Sequence, residues 1–99
     1  MIRGTTPTLQ FEIPIDMELV DVLNVAFSQR GKMVLCKTVS DCQIDGNIAR
    51  CRLSQQDTLA LDHSCCVEIQ VRIKTISGDA LASQVLSTGV DRILQDGEI

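Results

Sequence analysis

Aromatic side chains are almost missing: Phe11 and Phe27 stand alone, with no Tyr and no Trp. Flat rings stack on bases and sugars and anchor most binding hot spots. Sugar-binding and single-strand-binding classes therefore lose their usual equipment. A basic balance is missing too. Nine Lys and Arg against 13 Asp and Glu leave a formal charge of -4, the wrong sign for a phosphate-binding footprint. No run of apolar residues approaches the ~20 that a membrane span needs, and residues 1–7 lack the apolar stretch of a signal peptide. Neither nucleic acid nor membrane is expected as a partner, and maturation is expected in a cytoplasm or in something assembled there.

Paired metal motifs are also lacking. The five cysteines, Cys36, Cys42, Cys51, Cys65 and Cys66, include no C-x-x-C. An odd count without secretion implies free buried thiols in a reducing compartment and no disulfide framework. Adjacent Cys65 and Cys66 point to opposite faces of a strand and do not pair with each other.

What the chain does have is alternation. Ninety-nine residues, 44% of them hydrophobic, suit one domain with one core, taken here as residues 1–99. Leu9, Phe11 and Ile13 alternate with polar neighbours until Pro14 and Asp16; Leu23, Val25 and Phe27 do the same. Such period-two patterns mark half-buried strands. The stretch Ser28-Gln29-Arg30-Gly31-Lys32 predicts a three-residue hairpin loop closed by its glycine, pairing Phe27 with Met33 and Val25 with Leu35. A turn at Asp45-Gly46 precedes a strand over 48–53. Ser54-Gln55-Gln56-Asp57 has the form of a capping box, so one helical turn should carry Leu59 and Leu61 over the core.

The clearest pattern covers residues 65–75. Cys65, Val67, Ile69, Val71 and Ile73 face inward, while Cys66, Glu68, Gln70, Arg72 and Lys74 face water. A second glycine hairpin over 75–79 pairs Ile73 with Leu81 and Ile69 with Val85, and the tail forms a helical turn through Ile93 and Leu94. Six or seven short strands with one helical turn indicate an all-β protein of two packed antiparallel sheets.

Outer positions divide into two kinds. Those over 66–74 are polar, whereas Val22, Asn24, Ala26, Val34 and Cys36 form an apolar surface, with Ala26 against Val34 and Asn24 against Cys36. A loop or the C-terminal tail covers that surface, or it is a contact between subunits. Val22, Asn24, Ala26, Val34 and Cys36 are the candidate interaction residues.

No catalytic, cofactor or metal residues are assigned. His63 with Cys65 and Cys66, and Cys51 beyond them, is the nearest thing to a ligand or nucleophile cluster, yet the spacing matches no zinc motif and no third group orients a thiolate. Asp16 with Glu18, and Asp41 with Asp45, read as turn and cap groups. Arg50 and Arg52 would form a basic stripe with Arg72 and Lys74 if their strands were neighbours, with Glu12 and Glu68 available to neutralise it.

Three segments resemble a known family. Ile2-Arg3-Gly4-Thr5-Thr6-Pro7-Thr8-Leu9 is similar to the R-G-(T/D)-T opening of small phage and prophage structural domains. Leu53-Ser54-Gln55-Gln56-Asp57-Thr58-Leu59 resembles their L-(S/T)-x-(E/Q)-(E/D)-T segment. The strand Val67-Glu68-Ile69-Gln70-Val71-Arg72 with Ser77-Gly78-Asp79 resembles the strand and hairpin that follow. Together they look like the immunoglobulin-like N-terminal domain of baseplate upper proteins, although the cysteines and the lack of a long C-terminal extension depart from it. The resemblance implies an immunoglobulin-like sandwich with no catalytic residues, located in a virion or the host cytoplasm. Its partners would be phage structural proteins or further copies of itself, with no small-molecule substrate. The competing reading is a small cytoplasmic metal- or redox-responsive domain built on His63, Cys65 and Cys66.

Overall fold

In the computed structural model, which describes residues 1–99, the alternating segments become eight strands and one short helix. In chain order they are β1 (Thr8–Glu12), β2 (Val20–Gln29), β3 (Lys32–Thr38), β4 (Cys42–Asp45), β5 (Ile48–Arg52), α1 (Gln55–Leu59), β6 (Val67–Thr75), β7 (Ala80–Ala82) and β8 (Leu86–Thr88). One sheet has the order β1-β5-β4. The other runs β3-β2-β6-β7, with β8 also on β6, and every pairing is antiparallel. The all-β sandwich expected from the alternation is present. Its likeness to immunoglobulin domains holds for two packed antiparallel sheets, while β2 and β3 form a hairpin within one sheet where that fold places its second and third strands in opposite sheets.

Both sheets contribute to a single core. Leu23, Val25 and Phe27 of β2 meet Val67, Ile69, Val71 and Ile73 of β6, and Ala49, Cys51 and Leu53 close it from the smaller sheet. These inward positions of β6 are all nearly solvent-free, as the period-two reading of that segment requires. The strand starts at Val67, so Cys65 lies before it and is half-buried. The capping box also forms: the Ser54 Oγ accepts the Asp57 amide at 3.0 Å, and the Ser54 amide donates to Asp57 Oδ2 at 2.8 Å. Leu61 is buried just beyond the helix.

Four expectations fail, each because of a contact that the local pattern of residues does not show. The β2–β3 hairpin closes through a two-residue loop, Arg30 (φ 52) and Gly31 (φ 76), between paired Gln29 and Lys32. Two left-handed residues are the mark of a type I′ turn. Tertiary bonds pull the two extra residues into order: buried Gln29 donates to the Asp62 carbonyl at 2.7 Å and accepts the Asp62 amide at 2.9 Å. A bulge then inserts Val34, so Phe27 pairs with Leu35 and Val25 with Lys37. Met33 consequently faces Ser28 and is 66% exposed.

The second hairpin has the expected loop, with Gly78 at φ 97 and Ile73 opposite Leu81, but Ile69 meets Leu86 instead of Val85. Ser83 causes the slip. Its amide donates to the Val71 carbonyl at 2.8 Å while its hydroxyl accepts the Val71 amide at 3.0 Å, which leaves Gln84 and Val85 outside the ladder.

In the tail no helical turn forms. Residues 89–91 instead exchange backbone bonds with Met1 and Arg3, burying Val90, and Leu94 is left fully out in solvent.

Finally, Cys42 and Cys51 form a disulfide. They stand directly opposite each other on β4 and β5, a juxtaposition that spacing along the chain does not reveal. Cys36, Cys65 and Cys66 are free, but Cys36 and Cys66 are exposed and Cys65 half-buried, against the expectation of buried thiols.

Candidate interaction surface

Four of the five candidate residues take their positions from the β2–β3–β6 register. Asn24 lies between Thr38 and Arg72, Ala26 between Cys36 and Gln70, and Val22 beside Lys74. The apolar and polar outer positions therefore share one face, which corrects the division into two. Ala26 faces Cys36, and Asn24 faces Thr38, because the hairpin is shifted by the bulge. Val22 is 41% and Val34 38% exposed, and Cys36 is open, while Asn24 and Ala26 are half-buried. What the structure assembles is a narrow strip, Val22 to Met33, apolar except at Asn24, Ser28 and Thr38 and bordered by the charges of β6.

The sandwich has a second uncovered region that the sequence reading missed. Along one flank, the free edge of β1 faces β7 and β8 across a groove of about 310 Å³. Phe11, Ile13, Val71 and Ile73 line it, and Leu81 and Leu86 form its rim. Leu81 also belongs to an adjoining hollow of about 690 Å³ with Ile15, Leu19 and Ile76. Residues 1–3 bond to 89–91, just beyond the end of β8. Leu81, Val85 and Leu86 are 41%, 51% and 57% exposed. The signal was available: residues 80–90, ALASQVLSTGV, contain no charge and no proline.

Polar clusters elsewhere have structural partners. The Arg30 guanidinium donates to Asp62 Oδ2 at 2.7 Å and to Ser64 Oγ at 2.5 Å. The Ser64 amide, the Arg30 guanidinium and the Ser64 hydroxyl together hold the Asp62 carboxyl well below the usual carboxylate range, and Asp62 in turn raises the Arg30 pKa. Gln29 and Arg30 thereby order the loop that carries His63 and Cys65. Cys51 is engaged with Cys42, and no three His, Cys, Asp or Glu side chains converge as a metal site would require.

Arg50 and Arg52 lie in the smaller sheet and Arg72 and Lys74 in the larger, so no basic stripe forms. Arg50 instead bonds Gln10 at 3.3 Å and lies 3.6 Å from Asp45, and Glu68 faces Ser28. Asp16 and Asp41 serve as caps, accepting the Glu18 and Thr38 amides.

The segments around Arg3 and Ser54 meet each other. Arg3 Nε donates to the Leu61 carbonyl at 2.8 Å and Nη2 to the Leu59 carbonyl at 2.9 Å, capping the end of α1. Fully buried Thr58 donates its hydroxyl to the Thr5 carbonyl at 2.8 Å. Gly4 holds φ +73, where a side chain is strained, and a Cβ there would crowd Ile93 Cδ1 at 3.0 Å. The residues that carry the family resemblance thus do structural work. No family model, curated protein or solved structure matches the chain.

Proposed function

We propose that this chain is a non-enzymatic structural or assembly protein of a phage or prophage particle, in its tail, baseplate or another virion-associated position, acting by binding other protein subunits. One observation carries the reading. Uncovered apolar side chains gather in two places, the Val22–Met33 strip and the β1/β7–β8 flank, with exposures between 38% and 66% for Val22, Met33, Val34, Leu81, Val85 and Leu86. Scattered apolar residues need no explanation, but contiguous ones mark contact surfaces.

Two further features favour a particle. The Arg3 and Ser54 segments resemble those of phage structural domains. The Cys42–Cys51 bond also suits a protein that ends up outside a reducing cytoplasm, as a released virion does.

Particles banded on a density gradient from cells carrying this gene should contain the chain in stoichiometric amount by mass spectrometry. Its absence from every intact particle rejects the reading. In the same preparations, Val22→Asp and Val34→Asp should lower incorporation while the circular dichroism of the isolated protein stays unchanged.

A further inference from the structure

We infer that the β7–β8 edge is a self-association site, where it adds antiparallel to the same edge of a second copy and extends the larger sheet across a twofold axis. The inference rests on the binding reading above and names the surface and the partner.

A strand edge presents unpaired backbone N–H and C=O groups, and natural proteins blunt such edges with charge or proline. The sandwich has four edges. β3 carries Lys32 and Lys37, β4 ends on Asp45, and β1 ends on Glu12. In a twofold pairing each strand lies antiparallel against its own copy, so an edge without charged residues sets no like charges against its partner. Residues 80–90 hold no charge, so of the four edges this one carries no charged side chain to oppose a second copy. Its bonds run only to β6, which leaves the outer side free.

Packing points the same way. Leu81, Val85 and Leu86 stand exposed along this edge, and the groove beside it reaches core residues Val71 and Ile73. A second copy docked there would cover the exposed leucines and shield the mouth of the groove. Backbone bonds would supply affinity and the alternate side chains would fix register.

Sedimentation of the full chain over a wide concentration range tests the inference, using wild type, Val85→Lys and Val22→Asp. A wild-type dimer that Val85→Lys weakens by about tenfold or more, and that Val22→Asp leaves intact, is the expected result. Thermal melts of Val85→Lys should match those of a wild-type sample diluted to monomer, because Val85 is half exposed. A dimer lost in Val22→Asp and kept in Val85→Lys overturns the edge assignment yet leaves the binding reading standing. A wild-type chain that stays monomeric at every concentration overturns the edge assignment, whereas the binding reading is decided separately by the particle composition.

Discussion

At Asp57 a single carboxylate completes the capping box of α1 and meets the Lys37 ammonium at 2.8 Å, with both side chains largely covered. Lys37 projects from the core side of β3, opposite Val25. Burial pushes the Asp57 carboxyl up, but bonds from Lys37 and from the Ser54 amide and hydroxyl outweigh it, and the group ends below its ordinary value. Asp57→Ala removes the carboxylate half of the capping box, keeps the Ser54 cap, and strands Lys37, at a cost of roughly 2–3 kcal/mol, measurable by urea denaturation. Asp57 and Asp62 both bind protons less readily in the fold than in the open chain. Their stabilisation is therefore whole above the unfolded carboxyl value of about 3.9 and is lost as pH falls through the depressed native values. The melting temperature should hold between about pH 5 and pH 7 and fall below about pH 4, with a shallower fall in Asp57→Ala.

Among the elements, β6 shows how much a strand can owe to one hydroxyl. Ser83 satisfies the Val71 amide from the neighbouring edge, where the ladder would otherwise break. Ser83→Ala leaves that amide without its partner and should cost about 1–3 kcal/mol, seen as faster hydrogen exchange at Val71 and a lower denaturation midpoint. The same residue marks the limit of what the sequence discloses. Alternation located the strands, and side-chain parity told Val67, Ile69, Val71 and Ile73 from their wet neighbours, because burial on one face imposes a two-residue period. Register was hidden wherever a distant group decided it. Gln29 and Arg30 are drawn into the first hairpin by the loop at Asp62, and Ser83 shifts the second by one residue. The apolar strip survives those shifts only in part, and the β7–β8 edge is hidden because alternation alone puts Leu81 and Val85 on the inner face, where both are in fact exposed.

At the scale of the molecule, the Cys42–Cys51 bond ties the edge strand β4 to β5 across a separation of nine residues. Closing so short a loop should stabilise the fold by roughly 2–3 kcal/mol. Thiol titration of the denatured protein should find three free groups before reduction and five after, and reduction should lower the melting temperature. Three groups both times would mean that the bond resists the reductant, and five both times that it never forms.

The contact between the Arg3–Thr5 segment and the end of α1 has an evolutionary corollary. Arg3 makes its two backbone bonds only where the Leu59 and Leu61 carbonyls face it, and Thr58 reaches beyond its own helix only where the Thr5 carbonyl waits for its hydroxyl. Drift at one segment is tolerated when the other drifts with it. Homologues too distant to align end to end should still betray kinship through these two patches, inherited as a matched set some fifty-five positions apart.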